Sequence, residues 1–199
     1  RYVKVKAQRV DQSPYFQPAK EPVGGWQGGE IRTISVSAVS SRATFCLDCV
    51  PVRRETNEMG MFAEVFEQFL ADWGGTELAE LVATDSGSAS LSNATLVNQA
   101  GCGYLMVLDA FQPELLREAQ RQLGSRTAEE TAATWETRYR GKTVIYRLWQ
   151  TTEMTGWNGW DHLRQVLRLE RREVHDDPAE ADTVGTRYFL TNLPAGRLS

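Results

Sequence analysis

The feature that most constrains this chain is a change of hydrophobic period at Asn57. Before it, apolar residues recur at about every second position. After it, Met61, Phe62, Val65, Phe66, Phe69, Leu70 and Trp73 recur at helical spacing until Gly74-Gly75 stops the run. So much aromatic bulk is not left in water at ~25 cal/mol per Å², which predicts a helix lying on a sheet. Any fold for this sequence must therefore join the two periods in one α/β arrangement.

Upstream of Asn57, RYVKVKAQRVDQS sets Tyr2, Val3, Val5, Ala7 and Val10 among basic residues and ends its strand-like run at Asp11. A Pro- and Gly-rich loop follows. Ile31–Val39 and Ala43–Val52 then predict two strands around a Ser40-Ser41 turn, so the first part reads as an antiparallel meander of three strands. Downstream, Leu81-Val82-Ala83 predicts a buried strand that delivers Asp85 at its C-terminal end, where α/β folds place their chemistry. The chain breaks at Gly87 and resumes as a helix through Leu91, Ala94, Val97 and Ala100, with Gly101 as its stop.

Gly103–Leu108 is a continuous apolar run, expected of a strand covered on both faces. Pro113 opens a helix bearing Leu115, Leu116, Ala119 and Leu123, and Gly124 closes it. Ser125–Thr137 shows no period. Thr143–Trp149 is strand-like, and Leu163–Val174 with Thr183–Leu193 predicts a closing hairpin across HDDPAEAD. Helices alternating with strands after a meander give a mixed sheet with helices on its faces and an additional C-terminal β-hairpin. That is the layout of ribonuclease-H-like domains, here expected as one domain over residues 1–199. An opening Arg in place of Met is expected of a segment of a longer protein.

Charge and composition narrow the function. A formal net charge of −4 does not suggest a uniformly basic nucleic-acid surface. It leaves local patches: Arg1, Lys4, Lys6 and Arg9; Arg138, Arg140, Lys142 and Arg147; Arg164, Arg168, Arg171 and Arg172. Each also reads as a solvated face. No apolar run reaches the ~18 residues of a membrane span, and no signal-peptide pattern opens the chain, so a cytoplasmic protein is expected, nucleoid-associated if it binds DNA.

An odd number of cysteines, three, argues for a reducing compartment. Cys46 and Cys49 form a CxxC, yet positions three apart on a strand point to opposite faces, which favours strand cysteines over a metal or redox pair. Two histidines and a TDSGS segment make neither a triad nor a nucleophile elbow. Trp149, Trp157 and Trp160 read as core, with an interface anchor as the alternative.

Five segments in order, the first containing ETNEM and the third AFQPELL, carry a resemblance: TISVSAVSSRATFCLDCVPVRRETNEMGMFAEVFEQF, LVATDSGS, GYLMVLDAFQPELL, YRGKTVIYRLW, and WDHLRQVLRLERREV with TRYFLTNLP. Together they resemble the DDE transposases of bacterial insertion sequences, in the branch that includes the H-repeat-associated proteins. The resemblance implies a ribonuclease-H-like fold, DNA as partner, a homo-oligomer or larger assembly, and acidic side chains that hold two Mg²⁺ ions for in-line attack at phosphorus. It assigns the first acid to Asp11 and the second to Asp85, both as metal ligands. The third acid departs from the pattern. Aligned without gaps on Gly141-Lys142 and Trp149 its position is Val144, and a shifted register gives the role to Glu136 of WETRYR. The lysine expected before Gln112-Pro113 is replaced by Asp109, which reverses the local field toward a phosphate. Three functions follow: a transposase-derived DNA-binding domain that has lost cutting, an active Mg²⁺-dependent enzyme using Asp11, Asp85 and Glu136, and a protein-interaction module.

Overall fold

The computed structural model describes residues 13–18, 29–40, 42–139, 141–177 and 179–197. They fall into two compact units, one ending at Leu78 and one beginning at Ala79. Among the described residues no helix is long and apolar enough to cross a membrane.

In the first unit β1 (Phe16–Pro18) pairs antiparallel with β2 (Gly29–Ile31), and β3 (Thr33–Val39) pairs with β4 (Thr44–Pro51). The expected strand ending at Asp11 lies outside the described residues. Ser40 closes the hairpin: its N–H donates to the Ala43 carbonyl at 2.9 Å and its Oγ accepts the Ala43 N–H at 3.1 Å. A β-bulge interrupts the ladder. Val36 pairs with Asp48 but Ser37 with Cys46, leaving Leu47 as the extra residue. Cys49 thus sits opposite Ser35 and Cys46 opposite Ser37, two positions apart on one strand, so both thiols share a face. Strict alternation placed them on opposite faces, and the bulge is what overturns that expectation. Both are free and exposed.

Helix α1 (Glu58–Trp73) forms where the period predicts it. The Asn57 side chain accepts the Gly60 N–H at 2.9 Å, satisfying one orphan donor of the first turn. The Gly74 N–H returns to the Leu70 carbonyl at 2.9 Å. Met61, Phe62, Val65 and Phe66 are its buried residues, with the two phenyl rings stacked at 5.7 Å.

The second unit is built on β5 (Leu81–Thr84), α2 (Leu91–Gln99), β6 (Gly103–Leu108), α3 (Pro113–Leu123), β7 (Ala133–Tyr139), β8 (Lys142–Thr151), β9 (Gln165–His175) and β10 (Thr183–Thr191). Its strands form one mixed sheet in the order β5-β6-β10-β9-β8-β7. Only β5 and β6 run parallel. The C-terminal hairpin is therefore no appendage: β10 inserts between β6 and β9 and completes the centre of the sheet. The reason is visible in one cross-strand row. Met106, Leu190 and Val166 stand side by side on β6, β10 and β9, each with no exposed surface.

Two further expectations shift. β5 is an edge strand with Leu81 38% exposed, not a buried one. β6 buries Tyr104, Met106 and Leu108 fully, while Leu105 and Val107 on its other face are half-buried. Trp149 and Trp160 are core, 2% and 4% exposed, so neither is an interface anchor.

Truncating the central row tests this arrangement. Leu190→Ala is expected to cost about 2–5 kcal/mol, the range for emptying a packed site. Val184→Ala on the same strand, 60% exposed, is expected to change stability by less than about 0.5 kcal/mol. Urea denaturation of the two variants checks both figures.

Candidate functional site

The parallel pair carries one carboxylate at each C-terminal end. Asp85 follows β5 and caps the short turn Ser86–Ser88, its Oδ1 accepting the Gly87 N–H at 3.1 Å. Asp109 follows β6, and its Oδ1 accepts the Ala110 N–H at 2.7 Å. Both side chains are exposed. With Ser86, Arg168, Arg187 and Tyr188 they line one cavity of about 700 Å³.

Arg168 reaches this cavity from the middle of the sheet. It shares a cross-strand row with Leu108, Tyr188 and Trp149. Its guanidinium lies 4.3 Å from the Trp149 ring centroid. It also donates to the carbonyls of Leu123 and Gly124 at 2.8 and 3.2 Å, so it caps the C-terminal end of α3 with positive charge. Its Nη2 pairs with the Glu170 carboxylate at 3.2 Å, and its buried Nε has no hydrogen-bond partner among the described residues. Arg187, on the neighbouring β10, is exposed, and among the described residues it makes none of the ion pairs that hold Arg147, Arg168, Arg171 and Arg172.

The predicted acids do not converge in the described residues. Asp11 lies outside them. Glu136 is exposed on β7, at the opposite edge of the sheet from β5. Five strand steps separate the two strands, about 24 Å along the sheet at ~4.8 Å per step. Val144, at the gap-free third position, is buried on β8 and offers no ligand. Among the described residues no group of three His, Cys, Asp or Glu side chains is placed to hold a metal. The described lining of the cavity sets two carboxylates, Asp85 and Asp109, beside Arg187 and the Glu170-paired Arg168.

The basic patches read from sequence are mostly neutralised. Arg138 pairs with Asp176 at 2.6 Å, Arg147 with Glu170 at 3.3 Å and Arg172 with Asp182 at 2.9 Å. Lys142 and Arg171 both pair with Glu173, and the ammonium and guanidinium hold that carboxyl below its usual range. These pairs neutralise basic residues on both faces of the sheet, Arg147 and Arg172 on one and Lys142 and Arg171 on the other.

A second polar cluster joins α2 to β6. The Thr95 hydroxyl donates to the Leu91 carbonyl at 2.8 Å, so toward His162 Nε2, 3.0 Å away, it can only accept. That fixes the proton on Nε2 and leaves Nδ1 to accept from the Tyr104 hydroxyl at 3.0 Å. Tyr104 is fully buried, and burial raises its pKa. Asn192 ties the same region together: its Oδ1 takes the Tyr104 N–H at 2.8 Å and its Nδ2 donates to Asn98 Oδ1 and the Cys102 carbonyl. The sequence pattern singles out neither Arg187 nor the Thr95–His162–Tyr104 chain of hydrogen bonds. Arginine and histidine in loosely patterned strands carry no signal that separates a cavity-lining or core role from a solvated one.

A scan against models of known protein families finds no match to this chain, and a search of curated proteins finds no similar sequence.

The His162 network has a pH signature. Burial lowers the pKa of His162, Arg164 lowers it further, and Asp161 opposes the shift. The folded protein therefore favours the neutral ring, and its contribution to stability is whole above the unfolded value of ~6.5 and is lost as pH falls through that value toward the folded one. Urea midpoints between pH 8 and pH 5 are expected to fall less steeply in His162→Asn than in the wild type, and equal slopes would contradict the assignment.

Proposed function

We propose that this chain is a transposase-derived domain of ribonuclease-H-like fold that binds DNA through the strand-end cavity of its second unit and has lost strand cleavage. The observation that carries the reading is that the exposed Arg187 lines one cavity with Asp85, Asp109 and Arg168 at the ends of the parallel strands. The position is the one at which α/β sheets bind their ligands. The Arg187 guanidinium there suits a phosphodiester, since its planar donor fork matches phosphate oxygens.

Two features support loss of cutting. The lysine expected ahead of Gln112 is the carboxylate Asp109, and the alternative third acid, Glu136, stands on the far edge strand. Because arginines on both faces of the sheet are already paired with acids, the contact with DNA belongs at the strand ends. A nucleoid-associated location follows from the same reading.

The test is fluorescence anisotropy with a duplex oligonucleotide over a range of salt. Binding is expected to weaken steeply with salt, and Arg187→Ala is expected to lower the slope of log K against log salt by about 1. Arg171→Ala, whose side chain is tied to Glu173, is expected to leave the slope unchanged. Salt-insensitive binding, or equal effects of the two substitutions, would overturn the reading.

A further inference from the structure

Strand β7 forms the outer edge of the six-stranded sheet, paired with β8 on one side only among the described residues. Natural sheets blunt such edges with proline, with bulges, or with charges that repel a second strand. Among the described residues none of these protects β7. Its register with β8 is unbroken from Ala133 to Tyr139, and it contains no proline. Trp135 and Tyr139 are 44% and 55% exposed, and the charges between them are one of each sign.

The order of those residues is informative. Trp135-Glu136-Thr137-Arg138-Tyr139 runs aromatic, acid, threonine, base, aromatic. Laid antiparallel on itself and centred on Thr137, it sets Trp135 opposite Tyr139, Glu136 opposite Arg138 and Thr137 opposite Thr137. Every pair then joins favourable partners. Odd positions meet odd and even meet even, so the backbone groups that point outward on one strand meet those that point outward on the other.

We propose that β7 is the surface through which two copies of this chain associate, antiparallel about a two-fold axis at Thr137, to form one continuous sheet. Trp135 already stacks on Tyr146 of β8, with centroids 5.2 Å apart and planes 10° from parallel. The second copy's Tyr139 extends that pair into a row of three aromatic rings on one face. On the other face Arg138 donates to Asp176 within its own chain while its side chain stays 73% exposed. Its remaining N–H groups are thus accessible to the Glu136 of the second copy. An unrelated strand would have to carry the reversed charge pattern by chance. A second copy carries it by symmetry.

Sedimentation velocity of the full chain over a range of concentrations, without nucleic acid, tests this independently of any DNA binding. The wild type is expected to form a dimer. Glu136→Arg places like charges at both symmetric contacts and is expected to raise the dissociation constant about tenfold or more; circular dichroism checks that this exposed substitution leaves the fold intact. In a Cys46→Ser, Cys49→Ser background, Thr137→Cys is expected to give a covalent dimer with a short bifunctional maleimide, linked 137 to 137 by mass spectrometry. A chain that stays monomeric, a dimer indifferent to Glu136→Arg, or the absence of the 137 link would each overturn the proposal.

Discussion

Everything in the second unit depends on β6 pairing in two directions at once. On one side it runs parallel to β5, which brings Asp85 and Asp109 to the same end of the sheet. On the other it runs antiparallel to β10, which brings Arg187 and Tyr188 alongside Leu108 and Asp109. Parallel strands need a crossover, and α2 supplies it. An antiparallel partner from the far end of the sequence then closes the centre of the sheet over the Met106, Leu190 and Val166 row. The cavity is a consequence of that topology.

The same pairing explains how charge is distributed. β8 and β9 present basic and acidic residues in cross-strand register, Arg147 with Glu170 and Lys142 beside Glu173. Their positive charge is used within the sheet. Arg168 is used in the same way: it shares Glu170 with Arg147, sits over Trp149 and donates to the last carbonyls of α3, so its guanidinium is held by an ion pair, stacking and helix-end polarity together. Where the sheet ends, Arg187 and the two aspartates make the cavity polar with both signs.

Much of the architecture was legible because local signals and tertiary needs agree. Asn57 and Gly74 bound α1, and Pro113 and Gly124 bound α3, by capping chemistry that acts within a few residues. The strand-to-turn break at Asp85 was equally local. What escaped depends on partners distant in sequence. β7 has no apolar alternation because it is an edge strand exposed along nearly its whole length, so a period-based reading has nothing to detect. The bulge at Leu47 inverts the facing of Cys46 through a two-against-one pairing that single-strand alternation does not anticipate. The hairpin at the C-terminus was visible as a hairpin, but its place between β6 and β9 is a property of the sheet. For the candidate site, Asp85 was legible as a strand-end carboxylate. Arg187 was not, since the same residue type serves in ion pairs one strand away.

The central claim is that the strand-end cavity engages phosphate with its own arginines and without a bridging cation. Affinity for a duplex oligonucleotide at constant ionic strength, measured in EDTA and again with Mg²⁺ supplied, tests it most directly. Binding in EDTA at least as tight as with Mg²⁺ is the predicted result, and binding that appears only when the divalent ion is present would contradict it.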